Sequence, residues 1–113
     1  MKIVSTPIAL AELEAMAGAG FGVLVKAVVD VERRVMAVDA ELHADEEALL
    51  LSEGSRQEHL WGINLYPGLP AEEWVEFDSM INVRPSRGNR TRGVEDAATR
   101  ERILAVIAAL VER

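Results

Sequence analysis

The sequence predicts an α+β fold: a mainly antiparallel sheet of four to five strands with about three helices against one face, in the order β-α-β-β-α-β-β-α. Three observations carry this. Residues 23–31 and 35–42 are neighbouring segments in which apolar and polar side chains alternate with a period of two. A second pair with the same alternation covers residues 61–66 and 73–84. Near the C-terminus, Ile103, Val106, Ile107, Leu110 and Val111 recur at helical spacing and form one apolar stripe.

Taken in order, residues 2–5 are short and β-prone. Thr6 and Pro7 supply a helix cap and a first-turn proline, so the first helix is expected from Pro7 to about Ala17, with Leu10, Leu13, Met16 and Ala17 inward. Gly18, Gly20 and Gly22 end the pattern. In the next strand Val23, Val25, Ala27, Val29 and Val31 share a face; the following one places Met36, Val38, Ala40 and Leu42 together. The two form a hairpin, and the lack of Asn-Gly or Asp-Gly near Glu32 and Arg33 predicts a connection longer than two residues. Asp45 is the expected cap of a short helix closed by Gly54, and Ser55 with Glu58 has the spacing of a capping box for one more turn. Residues 61–66 and 73–84 form the second hairpin. On its long strand Glu76, Asp78, Asn82 and Arg84 line a polar face. Asp96 caps the final helix.

The chain has 113 residues, 50 % hydrophobic and 27 % charged, which suits one globular domain over residues 1–113 rather than a disordered segment. There is no cysteine, so disulfides, thiolate metal sites and cysteine nucleophiles are excluded. The N-terminus does not read as a signal peptide. No apolar run approaches the roughly 18 residues of a membrane-spanning helix, so a cytoplasmic protein is expected. The net charge of −7 argues against nucleic acid or anionic lipid as a partner, and no RNA-binding signature accompanies Trp61, Tyr66 and Trp74.

Against that acidic background, residues 84–93 hold four arginines and no acid. Guanidinium groups grip phosphate or carboxylate through paired hydrogen bonds, and the stretch lies between a strand end and a helix start. Arg84, Arg87, Arg90 and Arg92, assisted by Asn82 and Asn89, are the candidate ligand-binding residues for an anionic small molecule. Glu95 and Asp96 offer the competing structural reading, in which the loop neutralises itself. Two further readings remain. Asp78 or Glu76 beside the same arginines would serve as acid or base in a small hydrolase or transferase, and a loop meeting acidic surface would make the protein an adaptor or homodimer.

His43, Asp45 and Glu47 contain metal-ligand chemistry, but acids at a helix start have a structural reason of their own and H-E-x-x-H is absent. No metal and no cofactor is expected. Ser79 lies outside any G-x-S-x-G elbow.

The segments MKIVSTP (1–7), VVDVE (28–32), ELHADEE (41–47), WGINLYP (61–67), GNR (88–90) and RGVED (92–96) resemble a family of small uncharacterised prokaryotic proteins, a domain of unknown function. The likeness spans nearly the whole chain. It implies a self-contained domain and supplies no activity, substrate or catalytic residue.

Overall fold

A computed structural model describes residues 1–113. Its elements are β1 (Lys2–Val4), β2 (Ile8–Ala9), α1 (Leu10–Ala19), β3 (Val25–Asp30), β4 (Val35–Val38), α2 (His43–Ser52), β5 (Leu60–Leu65), β6 (Val75–Glu76), α3 (Ala97–Leu110) and β7 (Val111–Glu112). The fold is α+β, with three helices and a five-stranded antiparallel sheet in the order β1-β4-β3-β5-β6. No helix is long and apolar enough to cross a membrane.

The valine-rich pattern of β3 has a second reason beyond β-propensity: both of its faces are covered. Val25, Ala27 and Val29 join Met36, Val38, Ile63 and Leu65 in the main core, against Leu13 and Ala17 of α1 and Ile103, Val106, Ile107 and Leu110 of α3. On the other face Val28, Ala37 and Leu60 pack against Leu50 of α2. Helices therefore cover both faces, not one as expected, and Lys26 and Asp30 of β3 lie on the α2 side by strand alternation. Asp30 is fully buried. Its Oδ1 accepts the N–H groups of Glu32 and Arg33, both at 2.9 Å, and its Oδ2 accepts the Ser55 hydroxyl at 2.6 Å. This carboxylate shapes the four-residue connection that the missing Asn-Gly signal foretold. It also takes Ser55 away from the expected capping box; the turn over Gln57–His59 forms without a side-chain cap.

Three boundaries move for physical reasons. Pro7 does not open α1: Ile8–Ala9 stays extended and pairs parallel with Val111–Glu112, so Val111 ends in a strand, and α1 starts at Leu10 and runs to Ala19. Asp45 is in the first turn of α2, whose cap is Leu42, and Gly54 closes that helix at φ +100° as expected. The long strand expected over 73–84 is a strand only at Val75–Glu76. Beyond it Phe77 packs on the main core while Ile81, four residues on and on the same face of an extended strand, packs on the opposite one, so the alternation is broken where the chain leaves the sheet. The departure lets Ser79 seat against Gly62, where an added Cβ would lie 2.5 Å from the serine side chain. Asn82 then replaces a strand neighbour: its Oδ1 accepts Gly62 N–H at 2.8 Å and its Nδ2 donates to Gly62 O at 2.9 Å. A continuous polar face of Glu76, Asp78, Asn82 and Arg84 is therefore not formed.

Candidate functional site

The structure distributes the arginine loop's side chains instead of gathering them. Arg84 stacks on Trp61, 4.5 Å from ring centre, and donates to the carbonyls of Ile81 and Leu60; burial pushes its pKa down. Arg87 pairs with Glu58 at 3.3 Å, and Arg92 with Asp78 at 2.6 Å through Nε. Arg90 is exposed, and its side chain has no hydrogen bond or salt bridge. The backbone N–H groups of Arg90 and Thr91, which would otherwise face an incoming anion, both donate to Glu95 Oε2. Asp96 caps α3 by accepting from the Thr99 N–H at 3.0 Å and its hydroxyl at 2.7 Å, and these bonds hold its carboxyl below the usual range.

Both asparagines are used within the chain. Asn82 is fully buried and, besides Gly62, donates to Arg92 O at 2.9 Å. Asn89 Nδ2 lies within bonding distance of the carbonyls of Asn82, Thr91 and Gly93, and its Oδ1 accepts Glu95 N–H at 2.9 Å. Gly88, at φ +84°, turns the chain so that Arg84 and Asn89 bridge.

A different set of polar residues assembles where α2 begins over the β5–β6 end of the sheet. Lys26, Asn64 and Glu76 are register neighbours on β3, β5 and β6. Asn64 Nδ2 donates to Glu76 Oε1 at 2.8 Å, and the Tyr66 hydroxyl donates to the same oxygen at 3.1 Å. Burial first, and then the bond to Glu76, raises the tyrosine pKa. Asn64 is 7 % exposed, and its side-chain oxygen is buried with no donor in the chain. Above it, His43 Nε2 donates to Ile63 O at 2.8 Å, which fixes the tautomer and leaves Nδ1 with the lone pair. Burial holds the imidazole below its ordinary pKa despite the Ile63 bond; the fields of Lys26 and Arg92 push the same way and that of Asp78 opposes them. One turn on, Glu46 is fully buried. Its Oε2 accepts Ala40 N–H at 3.0 Å, its Oε1 has no partner, and burial pushes the carboxyl up to about 9. No three histidine or acidic side chains stand close enough to hold a metal ion.

Residues 2–110 match the family model described as Protein of unknown function (DUF5674). The chain belongs to this family. No curated protein and no solved structure matches the chain.

Of the residues singled out in the sequence, the structure brings Glu76, Asp78 and Arg92 to this strip. It leaves Arg84, Arg87 and Asn89 in the loop's own scaffold. The strip's other members, Lys26, His43, Glu46, Asn64 and Tyr66, carry no motif that marks them as a group. A signal did exist: Asn64 interrupts an otherwise apolar strand, and Lys26 and Asp30 are the two charged residues of the valine-rich β3. The strip offers acceptors in Glu76, Asp78 and the donorless Asn64 oxygen, and a cation in Arg92, with an uncharged imidazole between them.

Proposed function

We propose that this DUF5674 domain binds a small molecule that carries a phosphate or carboxylate together with a hydroxyl or amine, at the strip between the start of α2 and the β5–β6 end of the sheet. The observation that carries the reading is the position of Arg92. It alone of the loop's arginines reaches the strip, where its field and that of Lys26 fall on His43 at the N-terminus of α2. In a chain of net charge −7 this is a place suited to an anion. Arg92 is the anion contact, with Lys26 the second cation whose field reaches His43. The ligand's hydroxyl or amine complements Glu76 and supplies the donor that Asn64 lacks. The Arg-rich loop thus contributes through its last arginine and not along its length.

The alternative in which Asp78 or Glu76 acts as acid or base has less support. Glu76 is exposed, the Asp78 side chain is 43 % exposed, and both are already held by Arg92, Asn64 and Tyr66. Groups in that setting orient a ligand.

The test is thermal melting of the wild type, Arg92→Ala and Arg87→Ala at constant ionic strength against inorganic phosphate, sugar phosphates, nucleotides and hydroxy acids. A ligand at a hundred times its dissociation constant stabilises by about 2.7 kcal/mol, which moves the midpoint of a domain this size by roughly ten degrees. The expected result is a selective shift that Arg92→Ala abolishes and Arg87→Ala retains. No shift from any compound, or equal loss in both variants, overturns the assignment to the strip.

A further inference from the structure

On the far side of Lys26 from the loop, a cavity of about 210 Å³ opens between the end of α1, the start of β3 and the chain leaving β4. Met16, Phe21 and Leu24 form its apolar wall, and Lys26, Asp39 and Glu41 stand around it. None of these three charged side chains takes part in a salt bridge, although one cation and two anions line the same small space. Lys26 lies over the Phe21 ring, its ammonium 5.1 Å from the centre. Asp39 is held in the left-handed region at φ +70°, and its N–H donates to Lys26 O at 3.3 Å, so the backbone fixes where its carboxylate starts.

Opposite charges that line one cavity without pairing are complementary to a molecule bearing both charges in the reverse order. A carboxylate meets Lys26, an ammonium meets Asp39 and Glu41, and an aliphatic side chain lies against Met16, Phe21 and Leu24. The volume is below the range of drug-sized ligand pockets and suits a molecule no larger than an amino acid. We infer that this cavity binds a small aliphatic α-amino acid.

The cavity shares Lys26 with the strip proposed above but not its other polar groups: Asp39 and Glu41 stand here where Glu76, Asp78 and Arg92 stand there. Leucine, 3-methylbutylamine and 4-methylpentanoate are compared by thermal melting of the full chain at constant ionic strength. Leucine at a hundred times its dissociation constant raises the midpoint by roughly ten degrees, while the amine and the carboxylate, each lacking one charge, give a small fraction of that shift. Asp39→Asn removes the leucine shift and still folds, because asparagine tolerates the left-handed backbone. Glu41→Gln, at an exposed position, weakens binding independently and guards against a folding defect at residue 39. Arg92→Ala, which abolishes binding at the strip, leaves the leucine shift unchanged. The inference is overturned if leucine gives no shift up to its solubility limit, if either single-charge analogue matches it, or if Asp39→Asn and Glu41→Gln both retain full binding.

Discussion

The arginine loop and the strip beneath the start of α2 hold polar side chains in opposite states of completion. In the loop, Glu58 answers Arg87, Asp78 answers Arg92, Glu95 takes the exposed amides, and Asn82 and Asn89 bond to seven backbone groups that would otherwise be left over. Its one buried gap is Arg84 Nη1, without an acceptor while Glu47, also with an unpartnered oxygen, lies within its electrostatic reach; the guanidinium of Arg90 is left to solvent. In the strip, Asn64 and Glu46 each keep a buried oxygen without a partner, and burial keeps His43 from charging and Glu46 from ionising near neutrality. Charge density along the sequence therefore points to the region that consumes its charge in folding. Incomplete polarity lies elsewhere, on residues scattered from 26 to 92.

If that contrast is right, the loop depends on its asparagines. Asn82→Ala strands the buried N–H and C=O of Gly62 and the carbonyl of Arg92, each costing on the order of 1–3 kcal/mol. The expected loss is about 3 kcal/mol or more by urea unfolding, the largest effect considered. A loss below about 1 kcal/mol would show that water replaces these bonds and that the loop is not the closed network described.

The strip should respond to pH where the loop does not. Glu46 is raised from an unfolded value of 4.5 to about 9, so the folded state holds its proton more tightly. Its stabilising effect is full below pH 4.5 and is lost as pH rises towards 9, by at most about 1.4 kcal/mol per unit. Glu46→Gln should remove this slope, so its advantage over the wild type should widen by roughly 3 kcal/mol at most between pH 6 and pH 8. Parallel stability curves for the two proteins would place the charged carboxylate in water. His43 has the reverse sign. With a folded pKa below 6.5, it stabilises above that value, and the contribution is lost as pH falls from 6.5 through the folded pKa. His43→Asn, which keeps a donor for Ile63 O, should reduce the acid-side loss; an unchanged acid limb would assign that loss to other groups.

The same contrast explains how much of the molecule was legible in the sequence. The hairpin of β3 and β4, the Asp96 cap and the stripe of α3 as far as Leu110 follow from local pattern and stand, although β4 stops at Val38 and leaves Ala40 and Leu42 outside the strand. The first helix was misplaced because Pro7 fits an extended chain as well as a first helical turn, and only pairing with distant Val111 decides between them. The long strand over 73–84 failed because a two-residue period in the sequence does not oblige the chain to stay in the sheet: Phe77 and Ile81 would share a face of a continuous strand, yet the turn over Met80–Asn82 sends them to two different cores. The strip was legible only in pieces. Glu76 and Asp78 stood out as carboxylates near arginines. Lys26 and Asn64 become neighbours only through the register of β3 and β5, which no local signal encodes.

The smallest effect sharpens the comparison from the loop's side. Arg87→Ala removes a guanidinium whose side chain is 61 % exposed and whose partner, Glu58, is 3.3 Å away. An exposed pair of this kind is screened by water and salt and contributes about 0–0.5 kcal/mol. Unfolding of Arg87→Ala should match the wild type within that margin at low and at moderate ionic strength. A loss above about 1 kcal/mol, diminishing with added salt, would make the arginines themselves the loop's support. The expected null result leaves support to neutral amides, so residues 84–93 can carry four cations while their shape rests on Asn82 and Asn89.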